Sequence, residues 1–443
     1  MKTIVLMIIV ICFFNLPAFT ETSMSGELNL NVAFFPIFQY TNNRFDGILN
    51  YNNFQNIHDL NFSTNALIKY IGGDDKIDFN MWFYLSKYNI VQPLLAASYG
   101  DTIQTAYVYD VINSSGGSCD KFDIYRANIG WYIGNNLLVK IGRQNMLSGY
   151  GYAWNPSNLI NPVKNPFIPY LEIKGVDALS FKYYYGNLIS FSVTSIYRPP
   201  LIEEGIDFEY IQYGSRMKLS IPEFEIYLNG FYDYDRNKGE DSYVPAIGSG
   251  TKIDIAGVGI YGEGALLVGS RNVYPSFQIV DSMYIPVLLK KTDEIYYSYL
   301  IGVEYTFGSG FMTTMEYYYN GEGYSREDRE NFKNGLDYYN RFMEYIPSDF
   351  IMLYKPGSFA KQYIFVNLFY PLYDFNLSFN FSSMYSIDSY GLNLIPSVVF
   401  EPFGCFAITF RYLSLLSLKS DEYNEAFFSP VKNIVRIEFK YNF

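Results

Sequence analysis

The chain of 443 residues is 49% hydrophobic and 20% aromatic but only 17% charged, which excludes an intrinsically disordered protein. One histidine and three cysteines are too few for a zinc centre, a disulfide scaffold or a histidine-dependent catalytic triad. The net charge of −12 argues against a nucleic-acid partner, because non-specific binding of nucleic acid requires a basic surface. We therefore expect a function that depends on shape and surface, with no cofactor and no metal ion.

The first 20 residues predict a cleaved export signal. Lys2 precedes an apolar run from Ile4 to Phe14, and small residues follow around Ala18. The run is shorter than the roughly 20 apolar residues that a membrane-spanning helix needs. We assign residues 1–20 to the signal peptide and residues 21–443 to a single domain, whose net charge is −13.

Apolar and polar residues alternate along much of the remaining chain. The alternation runs without a break from Val435 to the C-terminus, and it recurs after Phe375 and after Phe224. A period of two places the apolar side chains on one face of a β-strand. Further copies are Leu60 to Tyr70, Ile77 to Leu85, Asp123 to Ile133, Tyr297 to Phe307 and Phe406 to Leu413. The sequence therefore predicts many antiparallel strands, each with one apolar face.

Short and long connections alternate between these strands. Gly134-Asn135-Asn136 and Gly186-Asn187 are short, whereas Asn145 to Lys174, Asn272 to Glu294 and Asn320 to Ala360 are long. Short turns at one end and long loops at the other are typical of an outer-membrane β-barrel. A soluble β-sandwich has no reason to keep that alternation.

The strand number must be even if both termini are periplasmic. A first count gives nineteen strands, and the weakest candidate, Thr102 to Asp110, alternates poorly. We assign Tyr88 to Cys119 to a long external loop. The prediction is an all-β transmembrane antiparallel β-barrel of 18 strands, with 16 strands as the alternative.

The last strand resembles the terminal recognition strand of Gram-negative outer-membrane proteins. Phe443 is the final residue, and Tyr441 and Phe439 occupy the alternate positions before it. The resemblance implies export through the inner membrane, periplasmic chaperones, recognition by the barrel-assembly machinery and a place in the outer membrane. The abundance of Tyr and Phe agrees with aromatic girdles at the two membrane interfaces, where Tyr183 to Tyr185 and Tyr317 to Tyr319 are candidates.

The segment from Leu137 to Leu179 resembles the strand–loop–strand unit of a group of porin-like outer-membrane proteins. The residues that carry the match are Arg143, Gln144, Tyr150, Trp154, Asn155 and Pro156. The resemblance implies that the loop folds inward and narrows a channel. An ordinary surface loop is the alternative.

Residues opposite the apolar face of each strand are expected to line the lumen. The ten basic positions are Lys69, Arg126, Lys140, Lys182, Arg216, Lys218, Lys252, Arg411, Arg436 and Lys440. The six acidic positions are Asp78, Glu225, Asp254, Glu304, Glu316 and Glu438. This wall is net basic and predicts a preference for anions. The alternative is that its charges pair locally across neighbouring strands.

A barrel of 16 to 18 strands encloses an aqueous channel. The sequence thus predicts a porin-like channel for passive diffusion of small hydrophilic solutes, embedded in outer-membrane lipid. An enzyme is not expected, because His58, the only histidine, lacks a convincing serine partner. The alternative function is a plugged barrel that acts as a surface adhesin or receptor through its long loops. The sequence does not distinguish a monomer from a homotrimer.

Overall fold

The computed structural model contains one closed β-barrel. It describes residues 28–43, 58–73, 76–90, 118–146, 149–161, 164–167, 173–197, 211–234, 243–280, 283–343, 346–351, 353–355, 357–419, 423–429 and 431–442. The strands are β1 (Leu28–Asn43), β2 (His58–Gly73), β3 (Ile77–Ile90), β4 (Ser118–Ile133), β5 (Leu137–Gln144), β6 (Val176–Tyr185), β7 (Ile189–Tyr197), β8 (Ile211–Ile221), β9 (Phe224–Tyr234), β10 (Tyr243–Ile255), β11 (Val258–Val268), β12 (Val273–Val280), β13 (Met283–Lys290), β14 (Ile295–Thr306), β15 (Met312–Tyr319), β16 (Gln362–Leu372), β17 (Leu377–Ser386), β18 (Gly391–Phe403), β19 (Phe406–Ser417) and β20 (Val431–Asn442).

Eighteen of these strands form one antiparallel sheet that closes on itself. Each strand of the sheet pairs with the next one along the chain, and β11 pairs with β14 across the separate hairpin of β12 and β13. The last strand returns to the first, with Asn442 opposite Ala33 and Arg436 opposite Gln39. Closure satisfies the backbone hydrogen bonds that a sheet edge would expose. The predicted 18-stranded barrel is confirmed.

The connections separate into two ends of the barrel. The short turns, such as those after Ile133 and after Tyr185, lie at the end where β1 begins and β20 finishes, except the four-residue turn between β17 and β18, residues 387–390, which lies at the opposite end. All the long connections lie at the opposite end. The predicted bounds of the loop between β3 and β4 were wrong, because Tyr88 and Cys119 both belong to strands.

The two faces of the barrel wall differ as the alternation predicts. Large apolar side chains such as Leu228, Ile301 and Phe379 are exposed on the outer face. On this face Tyr319 stacks on Tyr297 at 5.2 Å, at the end of the barrel that carries the long loops. The aromatic triplets are split, however, since the middle residue of Tyr317 to Tyr319 is buried inside the barrel.

Helices occur only within the long connections of the described chain. They are α1 (Arg326–Phe342), α2 (Ser348–Ile351) and α3 (Glu425–Phe428). A 3-10 turn, Tyr373–Phe375, lies in the short connection from β16 to β17. Helix α1 begins with a capping box in which Ser325 and Asp328 exchange side-chain-to-backbone hydrogen bonds. It packs against the β12–β13 hairpin. Within the described residues, no helix is long and apolar enough to cross a bilayer.

Candidate functional site: the constriction inside the barrel

The connection from β5 to β6, residues 145–175, folds into the barrel and is called the constriction loop below. Its Ser157 hydroxyl lies 2.5 Å from the hydroxyl of Tyr227, and the Asn229 side chain donates to the Ser157 carbonyl at 3.2 Å. Both partners lie on the inner face of β9, four strands away from β5. The loop therefore crosses the lumen instead of covering its outer rim.

Glu263 on β11 holds the first part of the constriction loop. Its carboxylate accepts the backbone N–H groups of Tyr150 and Gly151, the latter at 2.6 Å. It also accepts the Ser157 hydroxyl at 2.7 Å and the Asn155 amide at 3.2 Å. Hydrogen bonds to an ionised acceptor are roughly twice as strong as neutral ones. One buried carboxylate thus fixes the loop at two points of its path.

Glu316 on β15 holds the next two residues of the loop. It accepts the backbone N–H groups of Tyr152 and of Ala153, the second at 2.9 Å, and the hydroxyl of Tyr261 at 2.7 Å. Glu316 is only 2% exposed, so these hydrogen bonds replace water around its carboxylate. Two acidic residues on different strands therefore clamp the constriction loop through its main chain.

Lys164, farther along the loop, lies near both glutamates. Its ammonium group donates to the Gly151 carbonyl at 3.2 Å. Burial lowers the pKa of Lys164, and the fields of Glu316 and Glu263 oppose that shift. The lysine offsets part of the negative charge that the two carboxylates place inside the barrel.

Trp154 anchors the loop to the opposite wall by aromatic packing. Its ring stacks on Tyr318 at 5.0 Å, tilts against Tyr363 at 5.5 Å and meets the edge of Phe365. Its indole N–H donates to the Gly357 carbonyl at 2.8 Å. Buried tryptophan normally pairs its N–H in this way while the ring packs.

The predicted constriction residues divide into two groups. Tyr150, Trp154, Asn155 and Pro156 lie in the loop inside the barrel. Arg143 and Gln144 instead end β5.

Gln144 faces inward and donates to the Ala178 carbonyl at 2.9 Å. Arg143 shares the face of exposed Ile141 and forms a two-pronged ion pair with Asp177 at 2.6 and 2.9 Å. Arg143 therefore braces the wall outside the lumen.

The basic residues of the inner wall form two belts. The lysine belt lies close to the turn end of the barrel and consists of Lys69, Lys140, Lys182, Lys218, Lys252 and Lys440. The arginine belt lies nearer mid-height and consists of Arg126, Arg216, Arg411 and Arg436. Along β8 and β20, the Arg216–Lys218 and Arg436–Lys440 spacings of two and four residues correspond to roughly 7 and 13 Å, whereas Lys69 and Arg126 lie over the same Trp82 ring. The constriction loop contacts Tyr227, and Arg216 of the arginine belt lies over the Tyr227 ring.

Three residues of the lysine belt pair with acids on nearby strands: Lys218 pairs with an acid on the adjacent strand, and Lys140 and Lys252 reach across one intervening strand. Lys140 pairs with Asp78 at 3.1 Å, Lys218 with Glu225 at 2.9 Å and Lys252 with Glu304 at 2.6 Å. Local pairing, the alternative raised by the sequence, therefore applies to this part of the wall. The Tyr150 hydroxyl also reaches Glu225 at 3.0 Å, which ties the constriction loop to the lysine belt.

The arginine belt makes contacts of a different kind. The Arg126 guanidinium lies 3.6 Å from the centre of the Trp82 ring, and Lys69 lies over the same ring at 3.9 Å. Arg216 lies over Tyr227 at 4.3 Å. Cation–π contacts orient a cation without neutralising its charge.

Two further loops fill the upper part of the barrel next to the constriction. The helical loop, residues 320–361, carries α1 and α2, and the C-terminal loop, residues 418–430, carries α3. Their shared apolar core contains Phe332, Phe359 and Phe428, which are buried and pack with ring centres 5.2–5.7 Å apart.

Several of these groups were missed by sequence reasoning. Glu263 follows the inward alternation of β11, but Gly262 and Gly264 interrupt the outer apolar face that would have revealed it. Lys164 and Glu425 lie in loops, where no periodicity marks a buried side. In the part of the chain that the structure describes, no cluster of three potential metal ligands is present.

The proposed assembly signal is partly visible. Phe439 and Tyr441 lie on the outer face of β20, and the Phe439 ring meets the edge of Phe38 at 6.1 Å. Phe443 and residues 1–20 lie outside the described residues.

Comparison with solved structures relates this fold to outer-membrane porin barrels. OccAB1 of Acinetobacter baumannii aligns with a TM-score of 0.54 and 9% identity over 96% of this chain and 99% of that one. OpdQ of Pseudomonas aeruginosa gives 0.51 and 8% over 94% and 99%, and OccAB4 of A. baumannii gives 0.50 and 10% over 95% and 99%. No protein-family model matches the sequence, and a search of curated proteins finds no similar chain. At such low identity the likeness establishes the fold alone.

Proposed function

We propose that the chain is an outer-membrane channel for passive diffusion of small hydrophilic solutes. The observation that carries the proposal is the constriction loop, clamped inside a closed barrel by Glu263 and Glu316. A loop held by buried main-chain hydrogen bonds has a fixed path, so it sets the width of the lumen. Nothing in this mechanism requires a catalytic group or a cofactor.

We further propose a preference for anionic solutes. The support is the arginine belt, whose Arg216 lies over the loop-contacting Tyr227, together with the burial of Glu263 and Glu316, which are hydrogen-bonded to the loop. Rings of Arg or Lys favour anions in pores. The lysine belt contributes less, because three of its members pair with acids.

Current through the purified, refolded protein in a planar bilayer tests both proposals. We expect stepwise conductance and, across a salt gradient, a reversal potential whose sign indicates anions. Replacing Arg126 and Lys140 by Glu should reverse that sign. Persistent silence from well-folded protein would overturn the channel, whereas an unchanged sign in the variant would overturn the basic selectivity filter.

A plugged barrel that serves as an adhesin or receptor is the second candidate. It is favoured by the aromatic core that the helical and C-terminal loops build in the upper barrel. The β12–β13 hairpin also exposes Ile279 and Tyr284, and the end of α1 exposes Phe342. Such a barrel would pass no ions, so the bilayer experiment separates the two functions.

The route to the membrane is part of the same proposal. We propose that residues 1–20 direct export and are cleaved, and that residues 21–443 form the barrel. The outward aromatic residues Phe439 and Tyr441 support recognition by the barrel-assembly machinery after transport by periplasmic chaperones. A mature N-terminus other than one near residue 21, determined by mass spectrometry, would contradict the cleavage.

A further inference from the structure

Glu425 is a buried carboxylate at the junction of two loops and the barrel wall. It opens α3 in the C-terminal loop and is 3% exposed. Its carboxylate accepts the Gly357 N–H at 2.6 Å and the Tyr363 hydroxyl at 2.9 Å. Its backbone carbonyl accepts the Tyr354 hydroxyl at 3.0 Å. One side chain thus joins the C-terminal loop to the helical loop and to the inner face of β16.

The charges around Glu425 come from two other elements. Arg329 on α1 pairs with Asp388, in the β17–β18 turn, at 3.0 Å. Asp388 also accepts the backbone N–H groups of Lys361 and Gln362, each at 3.2 Å. Among the residues that the structure describes, no lysine or arginine forms an ion pair with Glu425 itself. Arg329, whose field acts on Glu425, is therefore engaged by a different carboxylate.

This environment disfavours the ionised form of Glu425. Burial raises its pKa to about 7, although the hydrogen bonds from Gly357 and Tyr363 act in the opposite direction. The field of Asp388 raises the pKa further, and that of Arg329 lowers it. The group consequently changes charge in the neutral pH range.

Gly357 connects this carboxylate to the constriction. Its N–H donates to Glu425, and its carbonyl accepts the indole N–H of Trp154 at 2.8 Å. It has a φ of +77°, and a Cβ at this position would lie 2.5 Å from the Cγ of Pro166, another residue of the constriction loop. Movement of the residue that binds Glu425 must therefore disturb the constriction loop.

We propose that Glu425 is a proton-operated latch, which holds the helical and C-terminal loops against the constriction loop when protonated and releases them when ionised. An ionised carboxylate without a counter-ion is costly in a buried site and is stable in water. Release moves Glu425 into water and breaks the hydrogen bond between the Gly357 carbonyl and the indole N–H of Trp154. The upper lumen widens as a result.

The effect has a definite sign and size. Once released, the carboxylate regains an ordinary pKa near 4.5, whereas the latched group titrates at about 7. The ratio of latched to released barrel should therefore fall by roughly two to three orders of magnitude as pH rises through this window. Below the window and above it, the ratio should be constant.

Conductance at pH 5 and at pH 8 tests the latch, and this readout rests on the proposed channel function. We expect wild-type conductance to rise several-fold between the two values, whereas Glu425→Gln should stay at the lower value throughout. The matched control is Glu401→Gln, which removes an exposed carboxylate near the turn end and should behave as wild type. Wild-type pH dependence in Glu425→Gln, or none in the wild type, would overturn the latch.

Hydrogen–deuterium exchange provides a readout that does not need a conducting pore. After correction for the intrinsic effect of pH, the amides of residues 357–361 and 424–429 should lose protection between pH 5 and pH 8 in the wild type only. If the protein does not conduct but shows this pH-dependent loss of protection, the latch is supported and the channel function is overturned. If it conducts without that loss of protection, the latch is overturned. Tyr363→Phe removes a donor to the carboxylate and should move the midpoint to higher pH, and an unmoved midpoint would contradict the assignment.

Discussion

Replacing Glu316 by Gln is the most direct test of the clamp that holds the constriction loop. The substitution preserves the side-chain volume but leaves one acceptor oxygen where the carboxylate has two. In the native barrel one oxygen serves Tyr152 and Tyr261, and the other accepts the Ala153 N–H at 2.9 Å. The glutamine NH2 group would then face a backbone N–H, and one buried donor would lose its partner.

The expected cost follows from that orphaned donor. A buried polar group without a partner costs about 1–3 kcal/mol. If the cost falls on the attachment of the loop, the detached fraction should rise by roughly 5- to 150-fold. Glu263 still holds the preceding segment, so the barrel itself should remain folded. The loop should fluctuate about its remaining attachment.

Single-channel recording is the appropriate assay, because a fluctuating constriction appears as open-channel noise and as visits to additional conductance levels. The control is Glu304→Gln, which also removes a lumen carboxylate but pairs with Lys252 on the wall. Both variants replace a lumen carboxylate by an amide. If their traces are equally noisy, lumen charge and not the clamp controls the noise, and the reasoning fails.

Three further outcomes are expected. Phe379→Arg, on the outer face of β17, should destabilise the inserted barrel by about 2–4 kcal/mol, whereas Asn380→Arg on the inner face should be tolerated and should alter conductance. If unfolding titrations show that the barrel tolerates both variants equally, the two faces are misassigned. Gly357→Ala should loosen the loops by about 1–3 kcal/mol because of its positive φ and its contact with the constriction loop, whereas Gly308→Ala, with open space around it, should have little effect on thermal unfolding. The pKa of Glu425 is raised to about 7 in the folded loops, so the stability that its protonated form gives the loops is fully present below pH 4.5 and is lost as pH rises to about 7. Across that window the loops of the wild type should lose about 3 kcal/mol of stability relative to those of Glu425→Gln.

The barrel wall was predictable because its constraint is local and repeated. One face of each strand contacts lipid and the other contacts water, so apolar and polar residues alternate in segments such as Phe375 to Ser382. The requirement for an even number of strands then gave 18, once Thr102 to Asp110 was left out of the nineteen candidates. The same alternation placed Glu316 on the inner face, although it did not reveal what the carboxylate binds.

The clamp was less predictable because it depends on the path of a loop. The resemblance around Trp154 indicated an inward loop, but the sequence of residues 145–175 does not identify the wall residues that bind the loop. Glu263 and Glu316 lie more than 100 residues away in sequence from the amides that they accept. Contacts of this kind are set by the curvature of the closed sheet, which sequence periodicity does not specify.

Helix α1 illustrates an error of a different origin. Its signals are readable, since Ser325 and Asp328 have capping-box spacing and Phe332, Leu336 and Tyr339 follow at helical intervals. The segment was nevertheless predicted as part of a long loop, because the pattern on both sides of it is that of β-strands. A helix there changes the physical character of the upper barrel, because it brings a rigid apolar face over the wall.

The interior of the barrel is therefore asymmetric. The inner faces of β9, β11, β15 and β16 receive loops, whose main chain and aromatic side chains need partners such as Glu263 and Tyr363. The inner faces of β2 to β4 carry Lys69 and Arg126 around Trp82. In the proposed channel, the loops therefore narrow the lumen on one side, and the solute meets the basic residues of β2 to β4 on another.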